Sequence, residues 1–272
     1  MHPLERICDR LRHSAPAKDA NWLWDRLRGP YNFLVARCAV NGLERTMNGT
    51  DTVRVLPAFR GISESYEPQV WSQLMNLVRP GDTVADAGAH IGLYAVALAR
   101  RVGPKGQITA FEPDRTNFSA LEAHCRLNGM EDRTALMNVA VGEADGLCTF
   151  VSGWGSESHR GNDDAGGQVR CVRLDTVFAD RRLDVLKIDV EGYEEAVLQG
   201  AQGLLTDEKR KPRAIFIEVH PYAWSITGTT ATSLIRYLTQ VGYTITDLEG
   251  RPVQTVDRYG EIVARSRQAR LH

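Results

Sequence analysis

Asp86-Ala87-Gly88-Ala89-His90-Ile91-Gly92 is the stretch on which the fold turns. Ahead of it, Thr83-Val84-Ala85-Asp86 is short and apolar enough for a buried strand. Behind it, Leu93–Arg101 has the length and composition of a helix, broken by Gly103-Pro104-Lys105-Gly106. A strand that turns through glycines into a helix opens a parallel α/β unit. Gly88 lets the backbone turn tightly, and Gly92 lets the following helix pack close to the sheet.

Working outward, strands and helices alternate. On the N-terminal side a helix around Val70–Leu77 ends at Arg79-Pro80-Gly81. On the C-terminal side Gln107–Phe111 is a strand closed by Glu112-Pro113. A helix follows, with Phe118, Leu121 and Cys125 on one face and a stop at Asn128-Gly129. Thr134–Val141 is a third strand. Leu147–Val151 and Val169–Leu174 bracket a polar, glycine-rich stretch that has turn composition and no period, the mark of a mobile surface loop. Then come strand Leu183–Asp189, helix Glu191–Leu205, strand Ala214–Val219, helix Ser233–Val241, strand Tyr243–Leu248 and an edge hairpin from Val253 to Val263. The pattern predicts an α/β fold, a mostly parallel sheet with helices on both faces.

Residues 1–60 differ. Trp22, Trp24, Leu27, Phe33, Leu34 and Cys38 mark one or two amphipathic helices interrupted by Gly29-Pro30, followed by a strand at Val53–Leu56. This region is read as an N-terminal helical cap and substrate-side extension of a main domain over residues 61–263, with 264–272 a frayed tail.

The 272 residues carry 33 basic and 34 acidic side chains, a formal net charge of −1. That balance exerts no long-range pull on nucleic acid or an anionic membrane. Cys8, Cys38, Cys125, Cys148 and Cys171 form no C-x-x-C pair, so neither a zinc site nor a disulfide framework is indicated, and free thiols in a reducing compartment are expected. No apolar run has membrane-spanning length, and the charged N-terminus lacks a secretory core. The expectation is a cytoplasmic enzyme acting on a small molecule, with neither nucleic acid nor membrane as partner; the oligomeric state is open, a homodimer included.

Sheets of this kind bind ligands beyond the carboxyl ends of their strands. Glu112 stands there, 20 positions after Gly92, where a carboxylate can accept hydrogen bonds from both ribose hydroxyls. An adenosine-containing cofactor is therefore expected. A dinucleotide's pyrophosphate wants bare backbone N–H groups and no carboxylate beside them. Here Asp86 opens the loop, and the spacing is G-x-x-x-G where a dinucleotide site has G-x-G-x-x-G. S-adenosylmethionine, with an ammonium and no phosphate, fits this better.

With those stretches in view, the chain resembles the FkbM family of methyltransferases, within the class I S-adenosylmethionine-dependent, Rossmann-like fold. The likeness is carried by residues 81–92, Phe111-Glu112-Pro113-Asp114 with Asn117-Phe118, Asn138-Val139-Ala140-Val141-Gly142, Leu174-Asp175, Leu186-Lys187-Ile188-Asp189-Val190-Glu191-Gly192 and Ile217-Glu218-Val219-His220. It implies a seven-stranded sheet with its last strand antiparallel and O-methyl transfer in natural product biosynthesis or on sugars. It also implies roles. Asp86, Gly88, His90 and Gly92 would line the methionine half of the cofactor, Glu112 would hold the ribose, and Asn138 and Ala140 would border the adenine. Tyr66 and Glu67 would close over it. His90 stands where asparagine is common in the family.

An alcohol must lose its proton to attack a methyl group, so the reaction needs a base or a metal. Asp189 and Glu191 follow the fourth main strand, and Glu218 and His220 end the fifth, two positions apart and so on one side. Asp189 and His220 are read as proton acceptor and orienter, in an order left open, with Asp189 also a candidate for the cofactor's ammonium. Glu191 is a candidate for substrate contact or simply an acid in a helix's first turn. Asp189, Glu218 and His220 equally suit Mg²⁺ or another divalent ion, should one be used. Trp154, Ser156 and His159, in the polar loop, are candidates for a lid over the acceptor. The competing readings are a methyltransferase with a nucleic-acid or other acceptor and, in another class, a nicotinamide-dependent oxidoreductase.

Overall fold

The computed structural model describes residues 21–151, 159–160 and 167–267. Seven strands form the central sheet: β3 (Thr83–Ala87), β4 (Gln107–Phe111), β5 (Thr134–Met137), β10 (Val185–Ile188), β11 (Ala214–Val219), β12 (Tyr243–Thr246) and β13 (Gly260–Ser266). Their order is β12-β13-β11-β10-β3-β4-β5. All neighbours are parallel except β13, which runs antiparallel between β11 and β12. This is the seven-stranded sheet with its last strand antiparallel that the family resemblance implies. The expected edge hairpin is thus corrected: its second half enters the sheet one strand in from the edge, where both of its ladders are satisfied.

The central strands read as apolar runs because both faces are covered. Val84, Ala85 and Ala87, Ile108, Ala110 and Phe111, and Val185, Leu186 and Ile188 are fully buried. One face carries α2 (Pro68–Leu77), α3 (Leu93–Val102) and α4 (Arg115–Leu127), which supply Trp71, Leu98 and Leu121 to one apolar cluster. The opposite face carries α6 (Glu194–Gln199), α7 (Gln202–Thr206) and α9 (Ser233–Gln240), with Val197, Leu204 and Leu238 in a second cluster. Asp114 caps α4, its carboxylate accepting from the backbone N–H groups of Thr116 and Asn117.

Several boundaries differ from expectation. The strand expected at Thr134–Val141 is two strands. After β5 the chain leaves the main sheet, and β6 (Ala140–Val141) pairs instead in a small second sheet with β7 (Gly146–Val151), β8 (His159–Arg160) and β9 (Gly167–Val172). Leu174 begins the short helix α5 (Leu174–Val177) rather than ending a strand. The helix expected over Glu191–Leu205 begins only at Glu194 and breaks at Gly200-Ala201, where a Cβ on Gly200 would meet the Gly142 carbonyl oxygen at 1.9 Å.

The N-terminal region is one helix, α1 (Asn21–Cys38), running through Pro30, followed by an antiparallel hairpin of β1 (Leu43–Met47) and β2 (Asp51–Val55). Gly29 and Pro30 are exposed, so the carbonyl that the proline leaves unpaired faces water and the helix continues. The region is therefore not purely helical. Leu43, Met47, Val53 and Val55 are buried in the same cluster as α3 and α4, because alternate positions of each strand point that way; Arg45, on the same face of β1, is buried with its guanidinium on the Arg60 carbonyl.

Candidate active site

The strand register brings the functional loops to one edge. Ala87 pairs with Phe111 and with Ile188, and Ile188 with Ile217, so the segments after β3, β4, β10 and β11 leave the sheet side by side. The antiparallel β13 enters at that same edge, Gly260 opposite Val219. A cavity of about 430 Å³ opens there, where the strand order reverses.

Three residues of the first loop take left-handed backbone conformations: Gly88 (φ 85°), His90 (φ 50°) and Gly92 (φ 88°). Histidine, like asparagine, tolerates this region better than most side chains. A Cβ on Gly88 would sit 1.7 Å from the Asp189 carbonyl oxygen, so glycine is what lets the β3 and β10 loops touch. A Cβ on Gly92 would strike Leu121 at 2.5 Å; this glycine serves the contact of α3 with α4 rather than with the sheet. Gly88, His90 and Gly92 all line the cavity, and burial lowers the His90 pKa, leaving its ring neutral.

Glu112 is buried at the cavity wall. Its Oε2 accepts the His90 backbone N–H at 2.8 Å and its Oε1 that of Asp114 at 2.9 Å. Burial pushes its carboxyl up to about 7 despite those two donors. With the Asn117 side chain as a third partner, the carboxylate still keeps acceptor capacity for a further donor. Ala140 lines the cavity beside Val139, Val141 and Phe150 in an apolar slot. Asn138 does not line it. Its side-chain amide donates to the Glu112 and Pro113 carbonyls at 2.8 and 3.0 Å and clamps the end of β4 to that of β5.

Asp86 also lies off the cavity, in contrast to the expectation of a lining residue. It is wholly buried inside β3, and neither carboxylate oxygen has a hydrogen bond. Its compensation is Lys187, whose ammonium lies 3.7 Å from Asp86, 3.0 Å from Asp189 and over the Tyr94 ring at 4.9 Å. Burial works to lower the Lys187 pKa, but the charges of Asp189 and Asp86 outweigh it and keep the lysine charged.

Tyr66 and Glu67 line the cavity. Glu67 accepts the Tyr94 hydroxyl at 2.7 Å from a left-handed backbone (φ 40°). Asn48, in the turn of the N-terminal hairpin, grips the backbone N–H and carbonyl of Tyr66 at 3.0 and 2.7 Å. The N-terminal region thereby sets the position of this wall.

At the far end Asp189, Glu191, Glu218 and His220 converge, as the strand order requires. His220 Nε2 lies 3.5 Å from Glu191, 3.7 Å from Glu218 and 3.9 Å from Asp189. No hydrogen bond joins Asp189 to His220. Each has its own orienter, Lys187 for Asp189 and Glu194 for His220, whose Nδ1 is 2.8 Å from the Glu194 carboxylate. Glu194 is fully buried and also accepts from Trp224 Nε1 and the Gly192 N–H, each at 2.9 Å. Burial works to lower the His220 pKa, but Glu194 and Glu191 outweigh it and raise it. Glu218 is pushed up to about 7 by burial and by Asp189. Among the described residues, Asp189, Glu218 and His220 offer ligand atoms all within 4.8 Å of one another.

Three site residues were missed in the sequence. Glu194 reads there as an ordinary acid in a first helical turn. Tyr222, whose hydroxyl donates to Glu191, and Tyr259, whose hydroxyl donates to Glu218, carry no local signal. Of the lid residues, Trp154 and Ser156 lie outside the described residues, and His159 is described only as a backbone position of β8 opposite Val151.

The family model "Methyltransferase FkbM domain" matches residues 86–245, more than half of the chain. The 31-O-demethyl-FK506 methyltransferase FkbM of Streptomyces tacrolimicus is 28% identical, the match covering 53% of this chain and 67% of that one. The AMB antimetabolite synthetase AmbE of Pseudomonas aeruginosa is 25% identical over 72% of this chain, which spans only 11% of that protein. A crystal structure of a methyltransferase FkbM from Methylobacillus flagellatus KT is similar at a TM-score of 0.48 and 19% identity, covering 70% of this chain and 48% of that one. Among the described residues, no helix is long and apolar enough to cross a membrane.

Proposed function

Since this chain belongs to the FkbM methyltransferase family, we propose that it transfers a methyl group from S-adenosylmethionine to a hydroxyl of a small molecule, a natural product or a sugar. One observation carries the reading. A single cavity joins the Glu112 carboxylate at one end to His220, Asp189 and Glu218 at the other. Glu112 retains acceptor capacity for a ribose hydroxyl, and the apolar slot at Val139, Ala140 and Phe150 is of a kind that takes a purine. The cofactor supplies an activated methyl on a sulfonium.

The chain's own residues supply alignment and proton removal. Holding the acceptor oxygen in line contributes several kcal/mol. A positioned base adds roughly 10²–10⁴-fold. His220 is fixed through Nδ1 and presents Nε2 to the cavity; Asp189, fixed through Oδ2 by Lys187, presents Oδ1. These two remain the candidates for accepting the proton. A second reading is favoured by the clustering of Asp189, Glu218 and His220: a divalent cation such as Mg²⁺ held there would raise the acidity of a bound hydroxyl.

Calorimetry with S-adenosylmethionine and its demethylated product tests the cofactor, and a methyl-transfer assay read by mass against glycosides and polyketides tests the acceptor. Binding of the cofactor with a Kd of about 100 μM or tighter is expected. A cavity that leaves the cofactor unbound ends the reading. Turnover in excess EDTA separates the base from the metal: full activity rejects the metal.

A further inference from the structure

Tyr222 and Tyr259 both stand against His220, their ring centroids 5.7 and 5.5 Å from the imidazole. They come from unrelated segments, the turn Pro221–Ala223 after β11 and the loop just before β13. Both tyrosines are left open to solvent, 68% and 56% exposed, while His220 beside them is 2% exposed. An aromatic ring at a cavity mouth normally tucks its apolar face away. These two are held out because their hydroxyls are tied to Glu191 and Glu218. Two tethered aromatic faces beside the reacting end are ready to receive a ring at little cost in side-chain entropy.

The polar groups around them are of one kind. Asp189, Glu191 and Glu218 are acceptors when ionised, and the nearest ammonium among the described residues, on Lys187, is buried and already paired with Asp189. With Asp86 and Glu194 behind them, five carboxylates face one lysine and one histidine among the described residues. A phosphate or carboxylate on the acceptor would meet like charges at close range in a partly desolvated site and be disfavoured there. Hydroxyl or ammonium groups would find partners. We infer that Tyr222 and Tyr259 form the walls of the acceptor subsite, and that it takes a ring rich in hydrogen-bond donors and free of negative charge, a neutral or amino-bearing saccharide ring.

This inference rests on the methyltransferase reading, and its test separates the two. The full chain, loaded with the demethylated cofactor, is titrated by saturation-transfer NMR with methyl glucoside, methyl 2-amino-2-deoxyglucoside and glucose 6-phosphate. Cofactor affinity is measured separately by calorimetry. At least one of the first two probes should bind about tenfold or more tighter than the phosphate. Tyr222→Ala and Tyr259→Ala should each weaken that probe about tenfold and leave cofactor affinity within about twofold. Tyr→Phe at either position, which keeps the ring but releases its tether, should fall between. The neutral and amino probes distinguish stacking alone from stacking plus charge. Should neither bind, should the phosphate bind as well as they do, or should both alanine variants bind them unchanged, the acceptor assignment is wrong while an intact cofactor titration leaves the methyltransferase reading standing. Loss of the cofactor titration itself would instead bring down the reading on which it rests.

Discussion

His220 and Glu194 are joined by a 2.8 Å hydrogen bond inside the protein, 26 residues apart in sequence and both buried. The bond determines which imidazole nitrogen reaches the cavity. With Nδ1 turned to Glu194, Nε2 is the atom left facing Asp189, Glu191 and Glu218.

Glu194→Gln should therefore weaken turnover without touching the cofactor. A drop of about 10–100-fold in kcat is expected, as for other groups that orient a reacting imidazole, with cofactor Kd unchanged. The pH dependence of stability should change too. The folded His220 pKa is raised, so its stabilising contribution is fully present below its ordinary value of 6.5 and is lost as pH rises through the higher folded value. Urea unfolding at a series of pH values reads this: the wild type loses stability across that window, and the variant shows a flatter curve. Equal slopes would show that Glu194 does not govern the imidazole.

Glu112 gives a second pH signature. Its carboxyl is pushed up to about 7 by burial. Below that pH it is protonated and loses acceptor capacity for ribose hydroxyls, so cofactor affinity should fall as pH drops through 7. Calorimetry at pH 6 and pH 8 should differ by several-fold in the wild type, and the dependence should vanish in Glu112→Ala. A pH-independent wild type would count against ribose binding at this residue.

At Gly88 the test is steric. Alanine there has to displace the Asp189 carbonyl from 1.7 Å while holding φ at 85°, and a loss above about 3 kcal/mol is expected. Gly81→Ala is the control, with a similar φ of 89° but open space around the added carbon; it should cost only about 1 kcal/mol. Similar losses at the two positions would mean that backbone strain, not the contact between loops, decides.

Lys187→Met removes the only cation beside Asp86 among the described residues. Leaving a buried carboxylate uncompensated should cost roughly 3–5 kcal/mol. Adding Asp86→Asn removes the stranded charge, so the double variant should recover a good part of that loss in a denaturant titration. Additive losses would show that the two side chains do not act as a pair.

Much of this cavity was legible in the chain because its Glu112 end is local. Gly88, His90, Gly92 and Glu112 sit in segments that leave adjacent strands, and the periods of those strands and helices are visible residue by residue. Asp86 and Asn138 were placed at the right strand ends but given the wrong surroundings. Spacing reports which end of a strand a residue occupies, not whether Lys187 or a backbone carbonyl covers it.

By itself the sequence determined the alternation of strand and helix, the glycine turn at residues 88–92 and the carboxylate that follows β4, since each depends on backbone sterics and apolar period over a few residues. Tertiary structure alone decided that Glu194 and Trp224 meet behind His220, that Asn48 holds Tyr66, and that Tyr259 arrives beside Glu218 from 41 residues away. Those contacts follow from strand order, above all from β13 entering antiparallel between β11 and β12. Strand order is set by packing of both faces of the whole sheet, a sum over many distant pairs that no short window of residues contains.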